Sequence, residues 1–292
     1  MRAKFIILIA IFAALVFRAV ADGESKLSSE TLRRSFSEVR GLLDTQAALK
    51  SVGHEKVIRS EFGTPTHRGV ELKSDDFNMT VDSVTGRILS IETISVTKEQ
   101  DSPGMNEKQA QDTARSLVQH LGVKIDSRMV LIHIGFDVST GRWRVAWQRR
   151  VDGYPFPEET VFVSFNDRNR RLTSFRDRTT NRRCATKPVI DEKRAMASAE
   201  VRIMDLLPEL FGAHYEIANI TQGSLQVVYP NGRYAPQDDS ERKGTSETWP
   251  QPRLVYTFVL SFKYTGAATL RKSTPPIAVW VDALTGDIVG GL

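Results

Sequence analysis

Two stretches near opposite ends of the chain end in the same way. Residues 79–89 read Met79-Thr80-Val81-Asp82-Ser83-Val84-Thr85-Gly86-Arg87-Ile88-Leu89, and residues 279–289 read Val279-Trp280-Val281-Asp282-Ala283-Leu284-Thr285-Gly286-Asp287-Ile288-Val289. Both contain V-D-x-x-T-G-x-I followed by an aliphatic residue. The pattern predicts a strand, a tight turn and a returning strand. Asp82 and Asp282 are expected to accept bonds from turn amides, and Gly86 and Gly286 to supply positive φ where the chain reverses. These four are therefore structural turn residues. A blurred third copy, V-S-F-N-D-R-N-R-R-L-T, stands at 163–173. There Asn166 replaces the Asp, Asn169-Arg170 replaces Thr-Gly, and Asn169 is expected to take the left-handed conformation.

Working outward, an amphipathic helix precedes each hairpin. In the middle copy it spans about Glu107 to Leu121, with Ala110, Ala114, Leu117, Val118 and Leu121 on one face. Asn106 is its N-cap, Gln109 closes a capping box, and Gly122 stops it. In the last copy Asp191 caps a helix whose face is Ala195, Ala199, Ile203, Leu206 and Leu207. In the first, the helix begins near Ser28 or Ser29 and carries Leu32, Phe36, Val39 and Leu43. Between helix and hairpin lie strand-like runs. Trp143, Val145, Trp147 and Val151 alternate with polar residues in one of them, the signature of a half-buried strand. The fold class is α+β: tandem modules, each with one helix packed on an antiparallel sheet.

Composition sets the boundaries. The 292 residues carry 40 Lys+Arg, 35 Asp+Glu and a single Cys. Met1–Ala21 contributes three of the basic charges and an uninterrupted apolar run from Phe5 to Phe17. With Ala19-Val20-Ala21 behind it, this is the build of a secretory signal peptide, residues 1–21, cleaved near Ala21. Removing its charges from the formal +5 leaves +2, so nucleic acid is not an expected partner. The three modules are 22–96, which is divergent, 105–178 and 188–292. Linkers lie at 97–105 and 179–188, and a polar loop lies at 236–252. Secretion or retention in a periplasm or cell envelope is expected, and lone Cys184 is expected to be passive.

A helix, a short sheet and a closing V-D-x-x-T-G hairpin resemble the PepSY domain, the module of thermolysin-type protease propeptides and of YPEB-like envelope proteins. The middle unit is also similar to that family in its aromatic strand Trp143–Trp147, which leads through V-D-G-Y-P at 151–155. The resemblance is best at 105–177 and 188–292. It implies a fold that binds and inhibits a protease. No protease domain follows the last hairpin in this sequence, so the expected action is on a partner in trans.

No catalytic constellation appears. A helical zinc-protease motif needs two His one turn apart; His54-Glu55 begins it, but position 58 is Ile. No cofactor, metal or catalytic residue is expected, and the chain reads as a non-enzymatic binding protein. Its candidate contacts are Arg-rich. Seven arginines (168, 170, 171, 176, 178, 182 and 183) stand against Asp177 alone between 168 and 183. Arg168, Arg170, Arg171, Arg176 and Arg178 are expected to form a basic face toward an acidic protein, anionic lipid or a wall polymer. Tyr154 and Phe156, beside a turn, are a second candidate contact.

Overall fold

The computed structural model describes residues 27–60, 63, 65–94, 102–180, 182–212, 214–236, 250–266 and 274–292. The signal peptide, much of the 97–105 linker and most of the 236–252 loop lie outside the described residues. Among the described residues the protein is α+β, with three helices and antiparallel sheets. It divides into two compact units. The first holds the described residues up to Ile58, Thr66–Gln148 and Glu159–Thr179; the second holds those of Arg59–Pro65, Arg149–Glu158 and Thr180–Leu292.

In the first unit, helix α1 (Ser29–Leu42) starts where Ser28 Oγ accepts the Thr31 amide, and it buries Leu32, Phe36 and Val39 at i, i+4 and i+7. Strands β1 (Ser51–Arg59), β2 (Pro65–Lys73), β3 (Phe77–Asp82) and β4 (Ile88–Thr93) follow. Helix α2 (Glu107–His120) opens on a complete capping box between Asn106 and Gln109, both bonds 2.9 Å. Its buried face is Ala110, Ala114 and Val118, small enough to bring the helix close to the sheet. Strands β5 (Met129–Asp137), β6 (Arg142–Val151), β7 (Tyr154–Asn166) and β8 (Leu172–Asp177) complete this second half, the end of β6 and the start of β7, Arg149–Glu158, being counted with the second unit.

The two halves, read in the sequence as separate modules, share one eight-stranded sheet of order β1-β2-β3-β4-β8-β7-β6-β5. The join is antiparallel: Ser90 faces Arg176, Ile91 faces Phe175 and Glu92 faces Ser174. Each half ends on a strand with one open edge, and pairing those edges removes both from solvent. Cross-strand partners lie on one face. Phe77, stacked on Phe36 of α1 at 5.1 Å, therefore shares a face with Met79, Ile91, Phe175 and Val163. That face forms a single core with both helices. The opposite face bears Thr80, Ser90 and Arg176 along one rung, and Asn78, Glu92 and Ser174 along the next.

In the second unit, α3 (Glu192–Leu210) is capped by Asp191, whose carboxylate accepts the Arg194 amide at 2.8 Å. It buries Ala195, Ala199, Ile203 and Leu207. The strands are β9 (Tyr215–Ile220), β10 (Ser224–Val228), β11 (Arg253–Tyr264), β12 (Ile277–Asp282) and β13 (Ile288–Gly291). The sheet runs β10-β11-β12-β13, and β9 pairs with the far half of β11. The helix face meets Val227, Leu254, Phe258, Leu260, Val279 and Val281.

Candidate interaction surfaces

The three closing turns are one device. Asp82 Oδ1 accepts the amides of Val84 and Thr85 at 3.0 and 2.8 Å. Asp282 Oδ1 accepts those of Leu284 and Thr285 at 2.7 and 3.3 Å, and Asn166 Oδ1 those of Arg168 and Asn169 at 3.0 and 3.2 Å. In each the strand also bulges one step before the turn, at Thr80/Val81, Ser164/Phe165 and Trp280/Val281. Gly86 (φ 74) and Gly286 (φ 88) take the left-handed position; in the middle copy that position falls to Arg170 (φ 58), not to Asn169. Asn169 instead does the work of Thr85 and Thr285. Its side-chain oxygen accepts the Arg171 amide at 3.0 Å, as the Thr hydroxyls accept those of Arg87 and Asp287.

At the first turn sits a buried polar cluster. His67 Nε2 lies 3.0 Å from an Arg87 nitrogen and 3.1 Å from the Thr179 carbonyl. Nε2 thus faces a donor in Arg87 and an acceptor in the Thr179 carbonyl, and the ring tautomer decides which of the two it bonds. The same guanidinium donates to Thr179 O and lies 3.5 Å from the Asp177 carboxylate, whose other oxygen accepts the Thr179 amide at 2.8 Å. Burial first, then the charge of Arg87, holds His67 below its ordinary value, against the pull of Asp82, Asp177 and the Thr179 carbonyl. The cluster clamps the turn to the end of β8, although Asp177 Oδ2, buried, has only the 3.5 Å ion-pair contact with Arg87 and no hydrogen bond among the described residues.

The arginine cluster does not assemble into one face. Arg168, Arg170 and Arg171 are exposed on the β7–β8 turn, and Arg171 bonds Asp44. Arg176 is exposed on the polar sheet face, its alternation opposite to that of core residue Phe175. Arg178 lies past the other end of β8, with its amide on Thr160 O at 2.9 Å; a six-residue strand separates the two ends by about 20 Å. Arg182 packs on the Tyr229 ring and donates to Pro250 O. Arg149 is buried and donates to the carbonyls of Thr180 and Arg182, both at 2.9 Å. Phe156 is a correction: it is fully buried, 5.0 Å from the Tyr229 ring, and is a core residue rather than a contact residue. Tyr154 is half-buried against the same core.

Sequence reasoning missed a sheet edge. Strand β5 ends the eight-stranded sheet. Its run Met129-Val130-Leu131-Ile132-His133-Ile134-Gly135-Phe136 holds no Asp, Glu, Lys, Arg or Pro, and Ile132 is 50% exposed. The strand's one carboxylate, Asp137, stands at its last position and pairs with Arg144 at 2.5 Å, so the eight residues before it lack the charge or proline that usually guards a natural edge. The signal was present as an apolar run, but its place at an edge follows only from the topology.

Among the described residues no group of three His, Cys, Asp or Glu is placed to hold a metal ion. His54 and Glu55 lie on strand β1, not on a helix. Cys184 is half-buried, and burial raises its thiol pKa. No described helix is long and apolar enough to cross a membrane.

No family model and no curated protein matches the sequence. In structure the chain is similar to the Bacillus megaterium YpeB C-terminal domain, with a TM-score of 0.42 and 11% identity, covering 91% of this chain and 97% of that one.

Proposed function

We propose that this is an exported, non-enzymatic binding protein of PepSY-like modules that restrains an extracytoplasmic protease in trans. The observation that carries the reading is β5: a nine-residue terminal strand with an uncharged, half-exposed run. Such an edge offers main-chain donors and acceptors to an extended segment, and its alternate side chains offer apolar contacts. That is the geometry of strand addition, in which backbone bonds give affinity and side-chain pockets give specificity. A segment held in that way beside a protease cleft blocks the path of a substrate. The PepSY-like helix-on-sheet pattern with its closing hairpin supports the same reading.

The test is capture by the mature protein from its own extracytoplasmic fraction, followed by assay of the captured protease. The expected result is a protease whose turnover falls with added protein and recovers, by about tenfold or more in inhibition constant, when Ile132→Lys replaces the native chain. Capture of no protease overturns the proposal.

A second reading rests on the exposed Arg168 and Arg170 at the β7–β8 turn. In it, these two residues engage an anionic lipid or wall polymer. Retention on anionic vesicles that salt weakens, and that Arg168→Glu with Arg170→Glu abolishes, favours this reading over the first.

A further inference from the structure

The outer faces of α1 and α2 are polar. Their exposed positions are Glu30, Arg33, Arg34, Ser37, Glu38 and Gly41 in one, and Glu107, Lys108, Gln109, Asp112, Arg115, Ser116, Gln119 and His120 in the other. Helix α3 breaks the rule. Opposite its buried Ala195–Ala199–Ile203–Leu207 face it exposes Ala197, Val201, Met204 and Pro208, spaced i, i+4, i+7 and i+11. Val201 is 62% and Met204 57% exposed. A helix with two apolar stripes is built to be covered on both sides. Met204 and Pro208 also wall a cleft of about 380 Å³ with Tyr215 and Ile217.

The charges on one flank of the outer stripe say what covers it; the other flank carries the exposed Lys193 and Glu200. At about 100° per residue, Arg194, Val201 and Asp205 fall within one narrow sector, with Glu209 on the same flank as Asp205. Arg194 lies about 10 Å before Val201 along the axis, and Asp205 and Glu209 lie about 6 and 12 Å after it. The flank is thus basic at one end and acidic at the other, symmetrically placed about Val201. This opposes the preference of the helix dipole, which favours acids first and bases last. An antiparallel second helix of the same sequence satisfies it. About a two-fold axis at Val201, Arg194 of one copy meets Asp205 and Glu209 of the other, twice over, and the apolar stripes close on each other.

We propose that α3 is a homodimer seam: two copies of this chain associate through antiparallel α3 helices related by a two-fold axis at Val201. The interface is isologous, as closed dimers require. One helix face is smaller than the roughly 800 Å² per partner of a standard interface, so the dimer is expected to be concentration-dependent.

The experiment is sedimentation velocity on the mature chain over a concentration series, with circular dichroism to verify folding. The native chain is expected to shift from monomer to dimer. Val201→Glu, Arg194→Glu, and Asp205→Arg with Glu209→Arg are each expected to raise the dissociation constant by about tenfold or more. All four positions are exposed, and the Asp191 cap uses only the Arg194 amide, so the variants keep the fold. The decisive sample combines Arg194→Glu, Asp205→Arg and Glu209→Arg. Arg194 and Asp205 stand three helical turns apart and cannot meet within one helix, so restored dimerisation reports the antiparallel pairing. A native chain that stays monomeric, a dimer indifferent to these changes, or a triple variant without rescue overturns the proposal.

Discussion

His67 occupies in the first repeat the position that Arg253 occupies in the third. Gly69 pairs with Asp82 and Val255 pairs with Asp282, so each residue stands two places before the partner of its turn aspartate. In the third repeat Arg253 donates to Asp282 Oδ2 at 3.0 Å. In the first, the neighbouring cation is Arg87 from the turn itself, 3.0 Å from His67. One fold position thus carries a permanent donor in one repeat and a titratable ring in the other.

This makes the first unit sensitive to acid. Burial and Arg87 depress the His67 pKa below 6.5 in the folded state. Above that value both states are neutral at this site and it contributes no pH dependence. As pH falls through 6.5 the unfolded chain binds a proton that the folded chain refuses, so stability drops. The loss levels off below the folded-state pKa, and its slope is at most about 1.4 kcal/mol per pH unit. The unfolding midpoint is expected to decline between about pH 7 and 5 more steeply in the native chain than in His67→Gln. Equal slopes would assign the acid sensitivity elsewhere.

The middle turn is strained where its relatives are not. Arg170 at φ 58 carries a Cβ that Gly86 and Gly286 lack. Arg170→Gly is expected to raise stability by about 1 kcal/mol, since left-handed backbone costs about that much in residues with side chains. Gly86→Ala is expected to lower it by about 1–2 kcal/mol, because the added Cβ also meets Thr31 Cγ2 at 2.9 Å. Denaturant midpoints of the two variants, moving in opposite directions, are the check.

Much of this local structure is legible in the sequence. The capping residues Asn106 and Asp191 and the buried alanines of α2 and α3 follow from local chemistry, and each stands where the spacing placed it. The pairing of β4 with β8 has no local signature. Any two alternating strands with a free edge satisfy it, and the choice belongs to the whole sheet. The arginine cluster misled for a related reason. Proximity in sequence becomes separation once a strand intervenes, and Arg170 and Arg178 fall at opposite ends of β8. The outer stripe of α3 was legible in principle, since Ala197, Val201, Met204 and Pro208 have helical spacing. The stronger inner stripe on the same helix explained its hydrophobicity and drew attention away from the outer one.

Asp282 separates the two jobs of the turn carboxylate. Oδ1 holds the Leu284 and Thr285 amides, and Oδ2 meets Arg253, which is 47% exposed. Asp282→Asn keeps an acceptor for the amides, as Asn166 does in the middle copy, and gives up the ion pair. Solvent screening limits that loss to about 1 kcal/mol. Asp282→Ala removes the acceptor of two amides in a partly exposed turn and is expected to cost about 1–2 kcal/mol. Thermal unfolding of the two variants orders them. Equal losses would mean that the ion pair, not the amide cap, carries the stabilisation.

Phe156 and Tyr154, two residues apart beside the Asp152-Gly153 turn, are expected to behave oppositely. Phe156 is fully buried against Tyr229, whose amide is held at 2.7 Å by the Glu158 carboxylate. Phe156→Ala removes a large, fully buried core side chain and should cost about 3–5 kcal/mol. Tyr154 lies only partly within the core, so Tyr154→Ala forfeits a smaller area and should cost about half as much or less. If binding of a captured partner falls in both variants, their unfolding curves decide the cause. A loss that tracks the fraction folded belongs to the core. One that persists in fully folded Tyr154→Ala assigns a contact to the exposed part of that ring.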